Sequence, residues 1–208
     1  MEEINVKDVC TELTIAFRTL NELLFQNKLV EPRIVTQPRK RPNVNGWLTV
    51  DKPWVNTDTG KAYYEITISS QSFNESINDV LGILVHEMVH LSNAMEGIVD
   101  CARNQYHNIA FKEAAEAALL ICEKIPHYGY MFTQPSERLI KIFDLLPIHD
   151  DVFHLEYRNT VVKSKTMQYK MNCYVCDKCG IKFKTRANLA LDAKCGDCNG
   201  SINKCNKE

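Results

Sequence analysis

Apolar residues at Val6, Cys10, Leu13, Phe17, Leu20 and Leu24 recur at intervals of three and four, the spacing that lines one face of an α-helix. The pattern predicts a first helix running to about Gln26 and packed on a core through that face. From Glu31 to Trp54 the periodicity breaks, and prolines at 32, 38, 42 and 53 leave room only for loops and short strands. Gly46-Trp47-Leu48-Thr49-Val50 and Tyr63-Tyr64-Glu65-Ile66-Thr67-Ile68 read as two such strands of a small sheet.

Helical spacing returns near Ser72, where Ser72-x-x-Glu75 has the form of a capping box. Along this second helix Ile77, Leu81, Leu84, Met88, Leu91 and Met95 form a continuous apolar stripe, with His86, His90 and Asn93 roughly 140–180° away around the axis. One face is expected to build the core and the other to face a cleft. A third helix is predicted from Gln105 to Cys122, with His107, Phe111, Ala114, Ala118 and Ile121 within about 40° of one another. Val152-Phe-His-Leu-Glu-Tyr157 reads as a strand. Helices alternating with a few short strands make the fold class α+β.

The second helix carries His86-Glu87-Met88-Val89-His90. Two histidines four apart share a helix face and can reach one metal ion, while the glutamate between them is placed to act as a base on water. A catalytic zinc takes three protein ligands and keeps a fourth position open. The metzincin pattern would supply a histidine at 96 and a glycine at 93; those positions are Glu96 and Asn93, which excludes it. Glu113 and Glu116, the carboxylates a thermolysin-like scheme needs, fall roughly 120–180° from the inward side of the third helix, so His107 is the preferred third ligand. His127, His149 and His154 sit in loop or strand contexts and read as ordinary polar residues. Tyr128 and Tyr130 are candidates for a further donor at the oxyanion.

This segment resembles the SprT-like family of zinc metallopeptidase domains, which includes bacterial and phage proteins and the eukaryotic Spartan proteases. The resemblance rests on Leu24-Phe25 with Leu29 and Pro32, Gly46-Trp47, Lys52-Pro53-Trp54, Glu65-Ile66, the zinc pentapeptide, Asp100, Tyr106-His107-Asn108 and Phe111-Lys112. It spans about residues 6–146 and is closer to the phage and Gram-positive members, since the stretch between His90 and His107 is longer than in the Spartan branch. It implies a zincin-like catalytic domain over residues 1–150, His107 as the completing ligand, and protein substrates on or crosslinked to DNA.

The 208 residues carry nine cysteines, of which Cys173, Cys176, Cys179, Cys195, Cys198 and Cys205 crowd into the last 36 positions. Cys176-x-x-Cys179 and Cys195-x-x-Cys198, each with glycine nearby, have the spacing of a closed structural zinc site, a zinc ribbon over residues 171–208 joined by a linker at 151–170. Cys173/Cys176 has the same spacing; Cys176/Cys179 is preferred because Gly180 follows it, which leaves Cys173 and Cys205 spare. A redox Cys-x-x-Cys is the competing reading, without a thioredoxin-like βαβ setting to support it.

Charge changes the picture of the ribbon. The net charge of −1 divides into +6 over residues 163–208 and −7 over the rest. Lys178, Lys182, Lys184 and Arg186, with Lys194, Tyr174 and Phe183 among them, suit a sequence-indifferent contact to nucleic acid, single-stranded DNA in particular. The competing reading is a purely structural ribbon whose aromatics pack its small core, and for Phe183 alone that is preferred. Arg39-Lys40-Arg41 reads as a solvated run. The acidic start, Met1-Glu2-Glu3-Ile4, is unlike a signal peptide, so a cytoplasmic protein is expected. Two functions follow: a zinc endopeptidase with Glu87 as base, delivered to DNA-associated proteins by the ribbon, or a non-proteolytic regulator on nucleic acid with a structural zincin-like domain.

Overall fold

The computed structural model describes residues 5–39, 41, 44–102, 104–153, 172–185 and 192–205. The chain is mixed α+β with small sheets and divides into two compact units, residues 1–157 and 158–208. No helix among the described residues is long and apolar enough to cross a membrane.

The first unit opens with α1 (Val6–Phe25), started by a capping box in which Asn5 and Asp8 exchange side-chain and backbone hydrogen bonds and ended by Gln26 in the left-handed region. Its buried face is Val9, Leu13, Ala16, Phe17 and Leu20. This is rotated from the predicted stripe, and Val6 is 54% exposed. The reason is that Val9 and Ala16, small enough to be overlooked in a pattern of large residues, take the centre of the contact.

Three strands follow: β1 (Arg33–Gln37), β2 (Gly46–Val55) and β3 (Ala62–Ser69), in the order β1-β3-β2. β1 runs parallel to β3 and β2 antiparallel to it, which makes β3 the centre and buries Ile66 and Ile68 completely. The strand predicted at Gly46–Val50 continues to Val55, past an irregularity between Thr49 and Trp54 where Lys52 takes a positive φ of 48°.

The second helix starts later than expected. Ser70–Asn74 is a 3-10 turn, and α2 (Ile77–Met95) is capped by Ser76, whose side chain accepts from Asp79 N–H while Asp79 accepts from Ser76 N–H. Two overlapping sequences, Ser72-x-x-Glu75 and Ser76-x-x-Asp79, offer the same reciprocal bonds, and the second forms because the Ser72 hydroxyl donates instead to the Asn45 carbonyl. α2 is also buried more widely than a single stripe: Val80, Val85 and Val89 are covered along with Leu81, Leu84, Met88 and Leu91. Its buried polar residues are Glu87 and Asn93, both at the histidine group described below.

The predicted helix Gln105–Cys122 is three pieces. α3 covers only Ile109–Ala117, with Asn108 accepting at its N-terminus from Ala110 and Phe111 N–H. Leu119 takes a positive φ of 65°, and β4 (Leu120–Ile125) then pairs antiparallel with β5 (Gly129–Pro135). Ile121, expected on the inward helix face, is 50% exposed on this hairpin. α4 (Glu137–Phe143) follows, capped by Ser136. Asp150–Phe153 is a 3-10 turn, not the start of a strand, because Phe153 folds in against Phe73 with ring centroids 6.1 Å apart. The remainder of that predicted strand, with His154, lies outside the described residues.

The second unit is a three-stranded antiparallel sheet of β6 (Asn172–Cys176), β7 (Lys182–Thr185) and β8 (Ile202–Lys204), in the order β7-β6-β8. Among its described residues the buried side chains are Tyr174, Cys176 and Cys195.

Candidate metal centres

His86 and His90 lie one turn apart on α2, as their spacing requires. His107 reaches them from an extended segment ahead of α3, not from the helix expected to carry it. Its main chain is pinned on both sides: His107 N–H donates to the Tyr128 carbonyl, and Tyr130 N–H donates to the His107 carbonyl, each at 3.0 Å. Gly129 makes this possible. It has a φ of 65°, and a Cβ there would stand 2.0 Å from the His107 carbonyl oxygen. The tyrosine segment is thus tied to the site through its backbone, while the Tyr130 ring packs between the ammonium groups of Lys112 and Lys124.

The three imidazoles converge through Nε2. His107 Nε2 is 3.3 Å from that of His86 and 3.1 Å from that of His90. Each Nδ1 has a separate partner: Thr133 Oγ1 at 2.9 Å for His86, Asp100 Oδ2 at 2.8 Å for His90, and the Gln105 carbonyl at 3.0 Å for His107. Nδ1–H donation to these oxygens leaves every Nε2 lone pair pointing into one space. Asp100 is itself held by Asn93 Nδ2 at 2.8 Å, and the fully buried Phe111 ring sits 4.6–4.7 Å from all three imidazoles as a rigid floor. Asn93, Asp100 and Thr133 carry this support, and no spacing rule points to Thr133.

Lone pairs held this close repel unless a cation lies among them. Metal–nitrogen bonds of about 2.0–2.1 Å in a tetrahedron put nitrogens about 3.3 Å apart, the separation seen here, so the donor set fits a metal such as zinc. The proton affinities of His86 and His107 agree with that use, while His90 is shifted the other way. Burial, then the neighbouring His90 and His107, hold His86 well below the ordinary histidine value. Burial and His90 push His107 down to about 4, against the opposing pull of the Gln105 carbonyl and Asp100. Burial also acts to lower His90, but the Asp100 hydrogen bond and the charges of Glu87 and Asp100 outweigh it and raise the group.

Glu87 is 3% exposed, and its Oε2 has no hydrogen-bond partner among the described residues. Gly46, at the start of β2, passes so near that a Cβ there would lie 2.7 Å from Ile83 and 3.0 Å from Glu87 Oε1. Burial raises the carboxyl to about 7, with Asp100 adding to the rise and His90 and the Leu48 N–H opposing it. A buried carboxylate oxygen without a partner, one residue from a metal ligand, has its hydrogen-bonding capacity free for a ligand in the site.

The second centre is Cys176, Cys179, Cys195 and Cys198, whose sulfurs all lie within 4.8 Å of one another. Cys176 and Cys198 are 3.4 Å apart and Cys179 and Cys195 3.8 Å, close to the roughly 3.8 Å edge of a tetrahedron with 2.3 Å metal–sulfur bonds. Cys176 with Cys179, and Cys195 with Cys198, are each carried by a tight turn ending in a left-handed residue, Gly180 (φ 73°) and Asn199 (φ 56°). The glycine after the second turn serves otherwise: a Cβ on Gly200 would stand 2.6 Å from Lys178 Cβ and 2.8 Å from the Cys176 sulfur. The backbone N–H of Cys179, then that of Lys178, help hold the Cys176 thiol down at about 7, so it ionises readily for a metal.

The basic residues of this unit are divided in their roles. Lys178 Nζ donates to the Cys198 carbonyl and Lys194 Nζ to the Ser201 hydroxyl, while Lys182 and Lys184 are exposed on β7. Arg186 lies outside the described residues. Tyr174 and Phe183 stack on each other, with centroids 5.8 Å apart and planes at 23°, and Tyr174 is buried, so this pair builds the core of the unit. Comparison with protein-family models, with curated proteins and with solved structures finds no match.

Proposed function

We propose that the chain is a zinc-dependent endopeptidase of zincin-like architecture acting on DNA-associated proteins, with the cysteine unit serving as a nucleic-acid-binding zinc ribbon. The observation that carries the reading is the buried Glu87 oxygen without a partner beside three convergent imidazoles. A site needed only for folding has no use for a carboxylate held out of water next to three ligands and an open fourth position.

Zinc held by His86, His90 and His107 would polarise the scissile carbonyl and make water a nucleophile near neutral pH. Glu87 takes the proton from the attacking water on its free oxygen and returns it to the leaving amine. The raised affinity of Glu87 for a proton suits both halves of that cycle. Thr133, Asp100 and the Gln105 carbonyl keep the three rings in the tautomer that leaves Nε2 unprotonated, and Phe111 stops them from tilting.

The sequence resemblance to SprT-like proteins supports a substrate on or crosslinked to DNA. Lys182 and Lys184 are the exposed cations that would follow a phosphate backbone, and tethering to DNA raises the local concentration of proteins already bound there. The test compares zinc-loaded protein on one substrate, free and bound to single-stranded DNA. Faster cleavage of the bound form is expected, with a DNA dependence that weakens as salt rises or when Lys182 and Lys184 are changed to glutamate. Equal cleavage of both forms at all salt concentrations would remove the ribbon from the mechanism.

A further inference from the structure

Two of the six clustered cysteines have no place in the tetrahedral group. In the pairing of β6 with β8, Tyr174 stands opposite Lys204, Val175 opposite Asn203 and Cys176 opposite Ile202. One step outward brings Cys173 opposite Cys205, and the ladder continues there, since Cys205 N–H donates to the Cys173 carbonyl at 2.8 Å. The two sulfurs face each other 2.8 Å apart. Side chains alternate along a strand, so Cys173 projects from the sheet face opposite to Tyr174 and Cys176. Cys173 cannot exchange with Cys176 in the metal group without reversing the strand. Directly opposed residues in an antiparallel pair also have the Cα separation that a disulfide needs.

We propose that Cys173 and Cys205 are a thiol-disulfide modification site whose co-reactant is a low-molecular-weight disulfide of the glutathione type. One thiolate attacks the small disulfide, forming a mixed disulfide and releasing one small thiolate. The second cysteine then attacks the first cysteine's sulfur in that mixed disulfide and releases the other small thiolate. Two S–H bonds of the protein are replaced by one S–S bond, and the two protons and two electrons leave with the two small thiols. An excess of the reduced thiol runs the exchange backwards.

The position of the bond gives it a consequence. The loop it closes, 173 to 205, contains all four residues of the metal group, in a unit whose buried side chains are few. Crosslinking limits the ways the two knuckles can separate, so a bound metal leaves more slowly. This inference does not depend on the peptidase reading, and its readouts are separate from proteolysis.

The test uses the full zinc-loaded chain in buffers of reduced and oxidised glutathione, with thiol trapping, peptide mapping and zinc transfer to a chelator. The expected result is a single reversible Cys173–Cys205 disulfide with zinc retained, and zinc transfer from the second unit slowed about tenfold or more in the oxidised form. Cys173→Ser with Cys205→Ser should keep its zinc and lose the redox effect. Mapping of the unaltered chain decides the matter even if that variant folds poorly. Oxidation that enters Cys176, Cys179, Cys195 or Cys198 first and expels zinc would overturn the proposal. So would an oxidised form that gives up zinc as fast as the reduced one.

Discussion

The two metal groups are built in opposite ways. The histidine group lies inside a unit that already has a core, with Leu13, Phe17, Leu84, Met88, Phe111 and Leu139 excluded from water whether or not a metal is present. Its candidate ligands come from a helix and a distant extended segment, each is oriented by a partner on its other nitrogen, and beside them lies a buried carboxylate oxygen without a hydrogen-bond partner among the described residues. The cysteine group draws four candidate ligands from two local turns, and two of them, Cys176 and Cys195, are among the three buried side chains of the described residues in its unit. A site placed in a finished fold can hold a reactive arrangement against repulsion and desolvation. A site that organises its own fold cannot spare a ligand.

The largest effect should therefore appear on removing metal from the cysteine group. Structural zinc contributes an apparent ~10–16 kcal/mol to the folding of small zinc modules. Strong chelation, or Cys176→Ser with Cys198→Ser, is expected to abolish hydrogen-exchange protection across β6, β7 and β8 while α1, α2 and the β1-β3-β2 sheet keep theirs. Loss of protection in both units together would erase the contrast.

A smaller effect separates the units by pH. In the metal-free protein the Glu87 carboxyl is raised by burial to about 7, above the ordinary 4.5, so the folded state holds a proton that the unfolded chain has released. The metal-free fold consequently loses stability as pH rises from 4.5 through about 7, by up to roughly 3 kcal/mol. Metal-free Glu87→Gln should melt above metal-free wild type at pH 8, and the gap should close towards pH 4.5. A gap that ignores pH would show that the carboxyl is not buried as described.

Finer still is the orientation of the imidazoles. Asp100→Asn is expected to weaken metal binding at the histidine group about 10–100-fold in a chelator competition, the usual range for such supporting carboxylates. Thr133→Val, which removes a neutral hydroxyl, should cost less than tenfold, because a charged acceptor stabilises the ligated imidazole more than a neutral one. Equal losses would mean that the charge of Asp100 plays no part.

How far the sequence revealed these centres follows the same division. The cysteine group could be read from spacing alone, because its ligands are local and the turns that carry them announce themselves at Gly180 and Asn199. His86 and His90 were legible for the same reason, being one turn apart on a helix. The helical phase that points to His107 does not exist: the chain there is extended, and Asn108, a good helix N-cap, is the sign in the sequence that the helix begins only after the histidine. Leu120–Cys122 fits that helix as well as it fits a strand, because a short apolar segment suits either period, and only the pairing with β5 decides it. Ser72 and Ser76 offered two equivalent helix starts, which tertiary bonds to Asn45 distinguish. Thr133 and the backbone of Gly129 belong to the site purely through packing, so no motif marks them.

On the function proposed above, Glu87, held beside three histidines placed to bind a metal, performs the proton transfers of peptide hydrolysis. The most direct measurement of that role is metal content and cleavage of a DNA-bound protein by wild type and Glu87→Gln, both loaded with zinc. Two zincs per chain are expected in each protein, with cleavage by wild type and a rate at least about a hundredfold lower in the variant, the minimum typical of losing a general base. Cleavage by Glu87→Gln at the wild-type rate, or no cleavage by zinc-loaded wild type with or without DNA, would contradict it.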